Sequence, residues 1–400
     1  MTRKPMFALK LATFVIALGY SLILPVMPFY MENLGAGGRE LGWLTAVYAL
    51  TQTICAPFWG ALSDRIGRKP VIGVGMIGYA VSLFLFGLAS SFWALFIARS
   101  LSGILSSASS AASLAYVGDC SIEEERSANM GRLGAAMSVG VIIGPLIGGA
   151  LAAYSLALPF FVGAGAAMVA FVLIVTLLPE SLERSVLSNK KGSLNITYIK
   201  TTLLGPAGII LIIIFAAHFC QTGLQGVTGL YVVEKFGFTA GQVGILWMVV
   251  AGVLIVIQVF LTGPLEKRMG DKVLILTGMI GKALVSLSVI FAAGFAGMLA
   301  VMGLFAATSA ITVPTLNASL SKVADQQKGT LMGLASMTGN LSKVIAPLLS
   351  GYIYDSNIDL PYIAMAAVAL IGAIMCVVWR RYENQVSTGS TFLKEGESHE

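Results

Sequence analysis

The chain has 400 residues, 57% of them hydrophobic and 11% charged, with a mean hydropathy of +0.87 and a formal net charge of +6. That is more apolar surface than one water-soluble interior hides, so the composition points to a lipid bilayer as solvent and away from a soluble enzyme. Four scattered cysteines, two histidines and the lack of a G-x-x-x-x-G-K-[ST] loop give no metal site, no cofactor, no disulfide framework and no ATP hydrolysis to expect.

A helix needs about 20 apolar residues to cross the hydrocarbon, where only its own hydrogen bonds satisfy the backbone. Twelve segments meet that need, which predicts an all-α integral membrane protein. The first six are 7–30, 40–62, 70–90, 93–117, 128–153 and 156–178. The second six are 205–233, 240–262, 272–294, 296–320, 329–353 and 361–379. The first is long and lacks a small-residue cleavage site, so it reads as a retained span rather than a signal peptide. The organisation expected is a six-helix bundle over 1–178, a cytoplasmic linker over 179–204, a second bundle over 205–381 and a disordered tail over 382–400.

Lys and Arg favour the cytoplasmic side. With the N-terminus inside, Arg65, Arg68, Lys69, Arg126, Arg132, Arg184, Lys190, Lys191, Lys200, Lys267, Arg268, Lys272, Lys322, Arg380 and Arg381 all fall there, and only Arg39 and Lys235 fall outside. Both termini are then cytoplasmic, and the net charge reflects topology rather than a nucleic-acid partner. The sequon Asn195-Ile196-Thr197 is expected to stay unglycosylated on that side.

"GALSDRIGRKPVI" (Gly60 to Ile72) is echoed by "GPLEKRMGDKVLI" (Gly263 to Ile275) at an offset of 203. Glu32 matches Glu234, Pro145 matches Pro347 and Gly149 matches Gly351 at an offset of 202. Near-constant spacing over such distances marks two parallel repeats, a plan used by secondary transporters. In the second copy Asp64 corresponds to Lys267 and Arg68 to Asp271, so the charges invert and a different network is expected there.

On these residues the chain resembles the major facilitator superfamily over nearly its whole length. The first loop is similar to the superfamily signature between spans two and three. The resemblance implies a cytoplasmic gate of Gly60, Asp64, Arg65, Gly67 and Arg68, with Asp64 facing the N-terminal end of span eleven and Arg68 pairing with Asp119 at the end of span four. "GVIIGPLIGG" sets Gly140, Gly144 and Gly148 four apart on one helix face beside Pro145 and Gly149, a small-residue face open to a close neighbour. It is similar to the antiporter signature of the superfamily's exporters. "LGYSLILPVMP" (Leu18 to Pro28) and "RSLSG" (Arg99 to Gly103, with Ser102 for the usual Gln) resemble signatures of twelve-span drug:proton antiporters. The resemblance implies that Arg99 assists proton coupling; a snorkelling interfacial arginine is the alternative.

No Asp or Glu stands mid-span. Glu32 and Glu234, near the outer ends of spans one and seven, are candidate proton-carrying or outer-gate acids, or members of an interfacial belt with Tyr30 and Tyr231. Mid-membrane basic residues are Lys282, expected to reach the cytoplasmic interface along its stem, and Lys343, one turn after Asn340. His218, Gln221 and Gln225 form a polar stripe that lines a substrate site or joins helices by hydrogen bonds; Asn317 and Pro314 are lesser candidates.

The reading that results is a monomeric, proton-coupled exporter of small amphipathic compounds in a bacterial-type plasma membrane, with substrate, protons and lipid as its partners. The runner-up is an exporter of an anionic or zwitterionic metabolite such as a metallophore, motivated by Lys343 and the absent acid. A non-transporting sensor or scaffold is the third reading.

Overall fold

A computed structural model describes residues 3–181, 205–323 and 328–397 as fourteen α-helices with no strand among them. In chain order these are α1 (Arg3–Leu22), α2 (Met27–Asn33), α3 (Gly38–Ile66), α4 (Arg68–Leu88), α5 (Phe92–Cys120), α6 (Glu123–Ala152) and α7 (Leu158–Leu177). Then follow α8 (Pro206–Phe236), α9 (Ala240–Phe260), α10 (Thr262–Met269), α11 (Asp271–Phe291), α12 (Gly294–Val323), α13 (Lys328–Tyr354) and α14 (Leu360–Glu397). Arg184, Lys190, Lys191, Lys200, the sequon, most of the linker 179–204 and His399 lie outside the described residues.

Ten of these helices are long and apolar enough to cross a membrane. Helices α3 and α13 have spanning length but carry more polar side chains, among them Thr45, Thr51, Gln52 and Thr53 on one and Thr338, Asn340, Ser342 and Lys343 on the other. They pack against each other and line the cavity described below, so part of their surface never meets lipid.

Three boundaries differ from the sequence reading. The first span is not continuous over 7–30: it stops at Leu22, turns, and restarts as α2, because Pro25 and Pro28 remove backbone donors within four residues. The eighth segment is matched by α9, and the short α10 that follows it covers Thr262–Met269, which beyond its first residue the sequence reading left outside any span. The last helix is continuous from Leu360 to Glu397 and so passes the expected end of the span near 379.

Buried apolar residues fall in two clusters, one drawn from residues 6–178 and the other from residues 207–379. Each half has its own core. The halves join at the ends of the helices remote from the charged loops, through small residues that let backbones approach closely. The seam is made twice, at an offset of 202. A Cβ on Gly42 would sit 2.5 Å from the Pro347 carbonyl, and one on Gly244 would meet the Pro145 carbonyl. Gly351 lies against Gly38, as Gly149 lies against Ala240.

Two faces can therefore be distinguished. The basic face holds Gly67, Gly270 and the loops rich in Lys and Arg; the opposite face holds the seam, Arg39 and Lys235.

Candidate functional site

A central cavity of about 480 Å³ lies between the halves. From the N-terminal half, Thr13, Ile16, Ala17 and Tyr20 present one face of α1, and Thr45, Tyr48, Ala49 and Gln52 one face of α3. Both sets recur at steps of three and four residues, the period of a helix face. From the C-terminal half come His218, Gln221, Thr222 and Gln225 of α8, Pro314 of α12 and Lys343 of α13. No Asp or Glu lines it.

The N-terminal wall is aromatic and internally hydrogen-bonded. Tyr20 and Tyr48 pack with ring centroids 5.2 Å apart, the Gln52 amide donates to the Tyr48 hydroxyl at 3.3 Å, and that hydroxyl lies 3.3 Å from Ser106 Oγ. Behind this wall sits Arg99, only 4% exposed, its guanidinium carbon 4.5 Å from the Tyr48 ring centre and 5.4 Å from that of Tyr20. Its Nη1 has no hydrogen-bond partner among the described residues. Arg99 is thus a buried cation held by ring faces rather than an arginine snorkelling to the interface.

The C-terminal wall is basic. Lys343 Nζ donates to Asn340 Oδ1 at 3.3 Å, one turn earlier on α13. Ser342 Oγ donates to the Phe215 carbonyl at 3.0 Å, which ties α13 to α8 and fixes Lys343 opposite the α8 stripe. Lys282 departs from the sequence reading: it is fully buried and donates to the Ala217 carbonyl at 3.1 Å, one residue from His218. Tyr79, its counterpart at an offset of 203, donates likewise to the Ile16 carbonyl at 3.2 Å, so both brace the first helix of their half. Asn317 is not among the lining residues.

Glu32 and Glu234 come together, but elsewhere. They line a cavity of about 730 Å³ at the opposite face with Pro28, Tyr354 and Asp355. The Tyr354 hydroxyl donates to Glu234 Oε2 at 2.7 Å. Beside them Asp355 reaches across the seam, accepting the Gly38 N–H at 2.7 Å and the Arg39 N–H at 3.3 Å. A carboxylate at the start of α3 meets unsatisfied donors and the positive end of the helix.

At the basic face the ion pairs stay within each half. Arg68 is buried; its Nε donates to Asp119 Oδ2 at 2.9 Å, its Nη1 to Ser63 Oγ at 2.6 Å, and it also pairs with Asp64. The expected Arg68–Asp119 pair is therefore formed. Asp64, 60% exposed, is engaged by Arg68 of its own half rather than by span eleven. Gly67 adopts φ +108°, a conformation that favours glycine, whereas Gly60 lies inside α3 with open space where a Cβ would be and makes neither the turn nor a close approach. Arg65 is exposed.

The second loop repeats the geometry with the signs exchanged. Gly270 takes φ +77°, and Asp271 Oδ2 accepts from Lys322 at 3.2 Å and from Ser319 at 2.9 Å. Asp271 and Lys322 stand at an offset of 203 from Arg68 and Asp119. Inverting both partners preserves the pair.

Sequence reasoning missed Glu180, assigned to the linker; its carboxylate accepts the Arg68 and Lys69 N–H groups at 2.8 and 3.2 Å, closing the start of α4. It also missed Tyr20, Tyr48 and Gln52. The signal was present, since polar groups three to four residues apart on α1 and α3 mark one face.

The glycines of α6 divide their work. Gly140, Gly144 and Gly148 lie against α1, where a Cβ on Gly140 would be 2.5 Å from the Phe14 carbonyl, and Ser21 Oγ donates to the Gly140 carbonyl at 3.1 Å. Pro145 and Gly149 face α9 across the seam.

The sequence matches the family described as Major Facilitator Superfamily over residues 9–342 and again over 210–398. It is 33% identical over 390 residues to Multidrug resistance protein 2 of Bacillus subtilis, covering 96% of this chain and 98% of that one. It is 25% identical over 383 residues to the Quinolone resistance protein NorA of Staphylococcus aureus, covering 95% and 97%. The fold superposes on a bacterial homolog of the human lysosomal transporter Spinster, in an inward-facing and unoccupied conformation, with a TM-score of 0.80 at 13% identity, over 95% of this chain and 98% of that one.

Proposed function

Because the chain belongs to the major facilitator superfamily, in its multidrug-efflux branch, we propose that it is a proton-coupled antiporter that exports small amphipathic compounds by alternating access. The observation that carries this reading is the central cavity: both halves supply its walls, they are joined at the opposite face, and the ion pairs of the basic face stay within each half.

In this reading the basic face is cytoplasmic, as the Lys and Arg distribution expects, and the protein rests facing inward. Substrate enters from the cytoplasm, and the aromatic wall takes its apolar body. The seam at the opposite face then opens and the basic face closes. Asp64, freed from part of its contact with Arg68, meets the N-terminal end of α13 in that state. Glu32 and Glu234 lie at the mouth through which protons enter, and Arg99, fixed behind Tyr48, holds positive charge at the cavity while protons move. One chain supplies every group, so the monomer is the working unit.

The test is proton movement out of energised inverted vesicles, followed with a pH-sensitive dye while compounds are added. Wild-type protein is expected to release protons on addition of a transported compound, and Arg99→Ala to lose at least nine-tenths of that response. A compound that is transported without any proton signal would overturn the coupling.

A further inference from the structure

We infer that the central cavity is selective for amphipathic solutes bearing an anionic group, as monoanions or zwitterions. The inference rests on the transport reading and assigns the charge class of its substrate.

The observation is an imbalance of buried charge. Around one cavity stand Lys343 on its C-terminal wall, Lys282 one residue behind His218, and Arg99 behind the tyrosines of the N-terminal wall. None of the three pairs with a carboxylate among the described residues. Lys343 has one side-chain amide acceptor, Lys282 one backbone carbonyl, and Arg99 the faces of two rings with Nη1 unsatisfied.

The chain does not lack acids. Where basic groups are held at the two faces, it supplies them: Arg68 has Asp64 and Asp119, Lys322 has Glu266 and Asp271, and Lys235 has Asp359. The three basic groups around the cavity have no such partner among the described residues. Unpaired charge at membrane depth is costly, and the attraction of an opposite charge grows as the surroundings become less polar. An anionic group on the solute provides the missing counter-charge beside Lys343, in a cavity that the amides of Gln221 and Gln225 on α8 also line. A cationic solute would add a further positive charge to a cavity with no acid to receive it.

Lys282 is a brace as well as a charge, since Tyr79 fills the same place in the other half. The selectivity is therefore assigned to Lys343, whose ammonium faces the cavity with the weakest fixed partner.

The experiment uses the full chain in lipid nanodiscs and one fluorophore in four charge forms: dansylglycine (anion), dansyl-lysine (zwitterion), dansylamide (neutral) and dansylcholine (cation). Wild-type protein is expected to bind the anion or the zwitterion at least ten-fold more tightly than the cation. Lys343→Met should bring the anion to within two-fold of the neutral form, while Lys343→Arg keeps the wild-type ranking and controls for folding. A cation that binds tightest, or a ranking unchanged in Lys343→Met, would overturn the inference. In inverted vesicles the two readings separate: protons released by dansylcholine alone would sink the charge assignment and leave antiport standing, whereas transport of any form without proton movement would sink the coupling.

Discussion

The seam that closes the opposite face is made twice, and its two copies are not alike. Helix α3 meets α13 through Gly42 on Pro347 and Gly38 on Gly351, and α9 meets α6 through Gly244 on Pro145 and Ala240 on Gly149. The backbone contacts are equivalent, but the helix starts are treated differently. The first donors of α3 are satisfied across the seam by Asp355. The start of α9 is satisfied within its own half: Thr239 Oγ1 accepts the Gln242 N–H at 3.3 Å, and Gln242 Oε1 accepts the Thr239 N–H at 2.9 Å. At an offset of 202 from Asp355 stands Ala153, which has no carboxylate to offer. Duplication set the packing, and one copy alone acquired a charged latch between the halves.

The largest effect should come from filling the seam. Gly42→Leu places a side chain against a backbone carbonyl that cannot rotate away, and Gly244→Leu does the same on the other copy. Overpacking of this kind costs about 1–3 kcal/mol. Both variants are expected to lose most transport and to lengthen the distance between spin labels at the opposite-face ends of α3 and α13, or of α6 and α9.

Breaking the latch distinguishes the copies. Asp355→Ala removes two acceptor contacts at a helix start, a loss of about 1 kcal/mol, or roughly five-fold in the balance of conformations. Thr239→Ala should cost a similar amount of helix stability, about 1 kcal/mol, and leave that balance unchanged, because its partners lie in one half. Spin-label distances read the first quantity and thermal unfolding the second. An equal shift of distances in both variants would remove the asymmetry.

The smallest effect is a gain. Ala153→Asp supplies a carboxylate to the second copy near the start of α9, where a helix dipole contributes about 0.3–1 kcal/mol. Slightly slower opening, seen as a slower approach to the long-distance state after substrate is added, is the expected result.

Much of this was legible beforehand. The repeat, most of the spans and the small face of α6 follow from spacing, hydropathy and residue size, properties a sequence displays directly, whereas the Arg68–Asp119 pair was expected only from the resemblance to the superfamily. The break after Leu22 was written in Pro25 and Pro28 but was hidden by the hydropathy of the run. Lys282 was misjudged because the depth of a lysine along a span does not say whether its stem faces lipid or a neighbouring helix. The spacing of Tyr20, Tyr48 and Gln52 marked a polar face on α1 and α3, but an aromatic or amide group in an apolar helix looks alike whether that face meets a cavity or packing. Glu180 went unnoticed because its partners, two N–H groups of α4, are 111 and 112 residues away.

The central claim is that the seam must open for the central cavity to empty. With the native cysteines replaced, Arg39→Cys and Tyr352→Cys put thiols on either side of the seam at a pair whose side chains now touch, the Arg39 guanidinium carbon lying 4.9 Å from the Tyr352 ring centre. Bridging them with a short thiol-reactive cross-linker should stop export, and reduction should restore it. Export that continues at an unchanged rate with the seam bridged would contradict alternating access through this cavity.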